Sequence, residues 1–169
     1  MSKTVNITQF RDKAGPYFTA AVHDHQPLLI QRGAHDRGLL IGEDEALVLL
    51  GDRSFNPEVI RGDGSISIWL PELGIYGEGS NYSEAKEDLL NEVGYYLDEY
   101  LANAADYLRA PNRKGHLPYV IKARLADLRD RLAETIFPGP PAEPTPGRLA
   151  GRAAGPVGDG PGDAGPDEG

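Results

Sequence analysis

Short apolar runs broken by glycine, proline and helix-capping residues fill the first eighty positions of the chain, and longer runs with helical spacing follow. The run "TVNI" (residues 4 to 7) predicts a strand. Thr8 then predicts the cap of a brief helix "QFRDKA", which Gly15-Pro16 interrupts, because glycine suits a helix end and proline the first position of a new one. The second helix, "YFTAAVHDH", stops before Pro27. "PLLIQRG" and "RGLLIG" predict two antiparallel strands around a turn at "GAHD", and "EDEALVLLG" a helix whose Glu43 to Glu45 face its positive end.

A loop at "GDRSFNP" precedes three further short strands: "EVIR", then "SISIWL" after a turn at "GDG", then "GIYGEGS" beyond a break at Pro71. Asn81 caps a long helix with Glu84 three residues on, as in a capping box. Tyr82, Ala85, Leu89, Val93, Tyr96, Leu97, Tyr100 and Ala104 keep helical spacing and predict one face packed on the sheet. After the breaker "APNRKGHLP" a last helix is predicted from about Tyr119 to Ile136, with a stripe of Val120 or Ile121, Leu125, Leu128, Leu132 and Ile136. The stretch from Pro138 to Gly169 holds nine Gly and eight Pro and too little apolar surface to offset its ordering entropy, so disorder is expected there. The expectation is an α+β protein in three parts: residues 1–52, residues 56–137 and a tail at 138–169.

Composition removes several kinds of chemistry. The absence of cysteine excludes disulfides and thiolate metal sites, and His23, His25, His35 and His116 lack metal-ligand spacing. There is no GxSxG elbow, and "GDGS" between two strands is a hairpin turn before it is a phosphate loop. The expectation is therefore a protein that is not an enzyme, with no cofactor and no metal. A hydrolase or nuclease using acids such as Asp63 or Glu72 would be a third class of reading. Without a run of roughly 18 to 20 apolar residues no membrane association is expected, and the protein is read as cytoplasmic.

The net charge of -9 is unevenly divided. Residues 1 to 42 carry five Lys/Arg against three acids, residues 43 to 100 three against fourteen, and residues 101 to 137 seven against four. An acidic middle separates two mildly basic segments, so the total charge does not exclude one DNA-binding face. The start of the first helix offers Thr8, Gln9, Arg11 and Lys13 as donors to a phosphate backbone, and Gln31 and Arg32 close the next strand within reach of neighbouring phosphates. Trp69, the sole tryptophan, sits on the central strand of the second segment, where core packing and a partner-facing position are both open to it.

The order of elements over residues 1 to 50, and the run "VHDHQPLLIQRG" in particular, resembles the Phd/YefM antitoxins. The resemblance implies a homodimer that binds operator DNA and represses its own toxin-antitoxin operon, with the family's DNA-contacting arginines falling on Arg11 and Arg32. Gly15-Pro16 stands where that family usually has a small polar cap. "IRGDGSISIWLPELGIYGEGSNYSEAKEDLLNEVGYYLDEYL" is similar to the HicB antitoxin fold, a catalytically inactive, partial RNase H-like unit that binds a toxin, with Gly74-Ile75-Tyr76 in place of that family's "PGC". Together they imply a type II antitoxin whose acidic middle and last helix, with Trp69, Leu125, Leu128 and Leu132, bind a cognate toxin protein of the RelE mRNA endonuclease type. A dimeric regulatory protein that binds a partner through the HicB-like unit and does not bind DNA is the alternative.

Overall fold

The computed structural model describes residues 3 to 62 and 64 to 139, so the expectations for the tail beyond Gly139 and for Asp63 lie outside the described residues. The described residues form one compact unit. Its first part contains β1 (Lys3–Asn6), α1 (Ile7–Asp12), α2 (Ala14–Val22), β2 (Leu28–Arg32), β3 (Asp36–Leu40) and α3 (Glu43–Leu49). β2 is the centre of a three-stranded sheet, parallel to β1 and antiparallel to β3.

Asn6, not Thr8, caps α1. Its backbone is extended, its Oδ1 accepts from the Gln9 amide at 2.8 Å, and Gln9 Oε1 accepts from the Asn6 amide. Asparagine is as good a cap as threonine, and here it has the reciprocal partner three residues on. Gly15 and Pro16 do not end a helix either. They lie in the first turn of α2, where proline's missing N–H has no bond to lose, and Lys13 closes α1 and opens α2.

The second part holds β4 (Glu58–Arg61), β5 (Ile66–Leu70) and β6 (Ile75–Gly79), an antiparallel meander with β5 in the middle. α4 (Tyr82–Ala102) lies along β6. The close approach is possible because Gly77 and Gly79 lack side chains: a methyl on Gly77 would stand 2.5 Å from the Ala85 oxygen and the Leu89 Cα, and one on Gly79 would stand 2.5 Å from the Ala85 nitrogen. Ile68 and Leu70 of the sheet, with Ala85, Leu89, Val93 and Leu97 of the helix, form the fully buried centre of the core. Asn81 caps α4 as expected, but Glu84 turns back to the amide and hydroxyl of Ser80 rather than to Asn81.

The C-terminal helices are more broken than their apolar spacing predicts. Ala104 begins a separate helix, α5 (Ala104–Arg109), and a 3-10 turn at Lys114–His116 leads into α6 (Leu117–Asp127). The single helix expected to Ile136 stops at Asp127; Asp130 takes a left-handed φ of 55°, and α7 (Leu132–Ile136) starts anew. The buried face of α6 is Val120, Ala123 and Ala126. Small residues let it sit close to the core, and Ile136 of α7 fills the gap beside it.

α6 also holds α3 at both ends. The Lys122 ammonium donates to the carbonyls of Leu50, Gly51 and Arg53, at and just past the C-terminal end of α3. Arg129, just past α6, pairs with Glu43 at 2.7 Å and Asp44 at 2.9 Å.

Candidate nucleic-acid and partner interface

Strand register decides which polar residues of the first part meet. Asn6 lies beside Gln31 in the parallel pair, and Gln31 lies opposite Arg37 in the antiparallel pair, so the three share a row on one face of the sheet. The start of α1, with Thr8 and Gln9 exposed, is thereby brought next to Gln31. Arg32 falls in the next row, where the pleat turns it to the opposite face. There its guanidinium makes two hydrogen bonds to Asp36, at 2.7 and 2.9 Å. Arg11, at the end of α1, is 3.7 Å from Asp12. Both pairs are largely exposed, so their attraction is weak. Lys13 is exposed between the two helices.

Arg37 is a cation that the sequence reading missed. It is exposed, stands across from Gln31 and has no hydrogen bond or ion pair among the described residues. The register supplies what the sequence did not: with a three-residue loop at Gly33 to His35 and Gly33 at a φ of 64°, counting outward from the turn puts Arg37 opposite Gln31.

The four residues expected at a partner surface fall in different environments. Trp69 faces away from the core. It lies half-buried over the turn at Gly74 and packs on Tyr76, with ring centroids 4.1 Å apart and the planes tilted by 31°. Leu125 is half-buried, Leu128 is 71% exposed at the corner between α6 and α7, and Leu132 packs against the core. The broken helix dissolves the stripe that grouped the three leucines.

Carboxylates dominate the outer face of α4: Glu84, Glu87, Asp88, Glu92, Asp98 and Glu99 are all exposed. The hydrogen bonds from Ser80 hold the Glu84 carboxyl below its ordinary range. Lys86, the one cation of this helix, leans over the Phe137 ring at 4.8 Å. Behind α4 a part-buried network joins it to the 3-10 turn: the Tyr96 hydroxyl is 2.6 Å from His116 Nδ1 and accepts from Arg113 at 3.0 Å. Burial, then the charge of Arg113, pushes the His116 imidazole below its ordinary pKa. Glu72 is used structurally, one oxygen accepting from both nitrogens of Asn56. Among the described residues no group of three or more His, Cys, Asp or Glu is placed to hold a metal, and no helix is long and apolar enough to cross a membrane.

Few apolar residues of the first part are covered. Among its described residues up to Leu50 only Val5, Ala21 and Leu28 are buried hydrophobics, while Leu39, Val48 and Leu49 are 61%, 80% and 70% exposed. With Ile41, Pro27 and His25 the last three line an open cavity of about 460 Å³.

Comparison with known proteins agrees with this architecture. Residues 1–137 match the model of the PHD-like family, "Antitoxin of toxin-antitoxin, RelE / RelB, TA system". A crystal structure from Syntrophomonas wolfei subsp. wolfei, described as "an antitoxin part of a putative toxin/antitoxin system", superposes with a TM-score of 0.70 at 27% identity, covering 80% of this chain and 96% of that one. No curated protein matches the chain in sequence. The chain belongs to the family of antitoxins of RelE/RelB toxin-antitoxin systems.

Proposed function

We propose that this antitoxin neutralises a small basic toxin of the RelE mRNA endonuclease type by binding it directly, and that as a homodimer it binds operator DNA and represses its own operon. An antitoxin of this kind is a regulatory protein that acts by contact rather than by catalysis. The observation that carries the reading is the division of charge over the fold. Arg11, Lys13, Arg32 and Arg37 lie exposed around the first sheet, and the exposed carboxylates gather along α4 beside the second. The first surface fits a phosphate backbone and the second a cationic protein.

The uncovered leucines and valine of the first part supply the reason for a dimer. Three large aliphatic side chains around one cavity are a poor surface to leave in water, and a second copy covers them while doubling the phosphate contacts of a domain with few cations. In this reading residues 1–52 form the DNA-binding and dimerisation part and residues 56–137 the toxin-binding part.

A gel-shift assay with the DNA upstream of the gene tests the first half. Arg11→Ala and Arg32→Ala are expected to lose binding and Arg148→Ala to keep it, and wild-type affinity should fall steeply with salt. Unchanged binding in both core variants would overturn the site. The ion pairs Arg11–Asp12 and Arg32–Asp36 favour the second reading, a dimeric interaction protein that leaves DNA alone. That reading predicts weak DNA binding with a shallow salt dependence.

A further inference from the structure

The second sheet has two faces of different fate. α4 covers the one formed by Ile68, Leu70, Ile75 and Gly77, and no described element covers the other. Register places Glu58, Trp69 and Tyr76 in one row of the open face and Ile60, Ser67 and Glu78 in the next. Tyr76 is 51% and Ile60 48% exposed, while Arg61 alternates to the helix-covered side. The open face is thus a tilted, close-packed aromatic pair with the Glu58 carboxylate in its row and the Glu78 carboxylate in the next. Neither the Glu58 nor the Glu78 side chain has a hydrogen bond or ion pair among the described residues.

We infer that the open face of β4, β5 and β6 is where the toxin docks, an arginine- or lysine-bearing segment of it lying across Trp69 and Tyr76 between Glu58 and Glu78. The inference rests on the reading that the chain binds a basic toxin, and adds a contact on the side of the sheet away from the α4 carboxylates, with its chemistry. A guanidinium or ammonium is attracted to the faces of tryptophan and tyrosine, and the two carboxylates fix its position. Charge selects the occupant. The two rows of the open face hold the carboxylates of Glu58 and Glu78 and no lysine or arginine, which disfavours nucleic acid at this face and favours a cationic segment. Large aromatics ringed by polar groups are also the side chains that dominate binding energy when an interface closes over them.

Trp69 is the only tryptophan, so one label reports the face. The full chain carrying 5-fluorotryptophan gives a single 19F resonance. It is titrated with its unlabelled cognate toxin, the small basic protein proposed above, and affinity is measured in parallel by calorimetry. The expected result is a shift of the resonance that saturates at the calorimetric stoichiometry and is accompanied by loss of solvent exposure. Trp69→Ala and Tyr76→Ala should each weaken binding by about tenfold or more, and Glu58→Gln with Glu78→Gln should weaken it and flatten its salt dependence. Binding at full affinity with an unmoved resonance would overturn the docking face and leave the antitoxin reading intact. No binding by the wild-type chain would overturn both. The spectrum of the wild-type sequence decides the matter even if Trp69→Ala fails to fold.

Discussion

Replacing Gly77 by alanine tests whether α4 rests on the bare backbone of β6. The added methyl would lie 2.5 Å from the Ala85 oxygen and the Leu89 Cα. Ordinary contact begins near 3.4 Å, so the helix must lift by about 1 Å, and these are backbone atoms that no rotamer change can move aside. Lifting α4 loosens Ala85, Leu89 and Val93 against Ile68 and Leu70 together. Alanine in a strand recovers roughly 0.5–1 kcal/mol of backbone entropy relative to glycine, while forcing a methyl into a filled space costs about 1–3 kcal/mol or more. The clash wins, with a net loss of about 2 kcal/mol and a fall in melting temperature of roughly 4–8 °C for a domain of this size. Gly94, within α4, provides the opposite sign: nothing lies within 4 Å of a methyl there, so Gly94→Ala should stabilise by about 0.5–1 kcal/mol through helix propensity alone. Urea denaturation followed by circular dichroism measures both. A Gly77→Ala protein as stable as Gly94→Ala would refute the packing of α4 on β6.

Two further outcomes are expected. The folded chain resists protonating His116, so the unfolded chain binds more protons, and stability should fall as pH drops below about 6.5; His116→Gln should reduce the loss between pH 7.5 and 5.5, and an identical loss in urea midpoints would exclude the imidazole as its source. Lys122→Met keeps the apolar stem but leaves the carbonyls of Leu50, Gly51 and Arg53 without their ammonium, which should cost about 1–2 kcal/mol; an unchanged denaturation midpoint would show that the contact contributes nothing.

What the sequence revealed and what it hid follow from the range of the interactions. The strand turns and the face of α4 from Ala85 to Tyr100 were legible because periodicity and capping are local. The cap of α1 was misplaced because Asn6 and Thr8 are both good caps, and only the backbone of Asn6 distinguishes them. The division of the last helix was hidden because no proline or glycine marks it; Asp130 adopts its left-handed conformation so that Ile136 can reach the core. Alanines at 123 and 126 carry little hydrophobic signal, so the larger Leu125 and Leu128 drew the stripe away from the true contact face. At the candidate DNA surface, Arg11 and Arg32 could be named from the family pattern, whereas Arg37 required knowing the strand register. The environment of Trp69 was left open for the same reason, since a strand's alternation does not say which side a helix will cover.

The contacts that α6 makes with α3 set an order in time. Lys122 and Arg129 reach back over 72 and 85 positions to Leu50 and Asp44, and α3 is only seven residues long, too short to persist alone. During synthesis at roughly 5–20 residues per second, α3 waits about 4–16 s between its own emergence and that of Arg129. Through that interval Val48 and Leu49 belong to a segment without its anchors. The first part of the chain thus matures only after the last helices have been made, so that the part proposed to read DNA is completed by residues from the part proposed to hold the toxin.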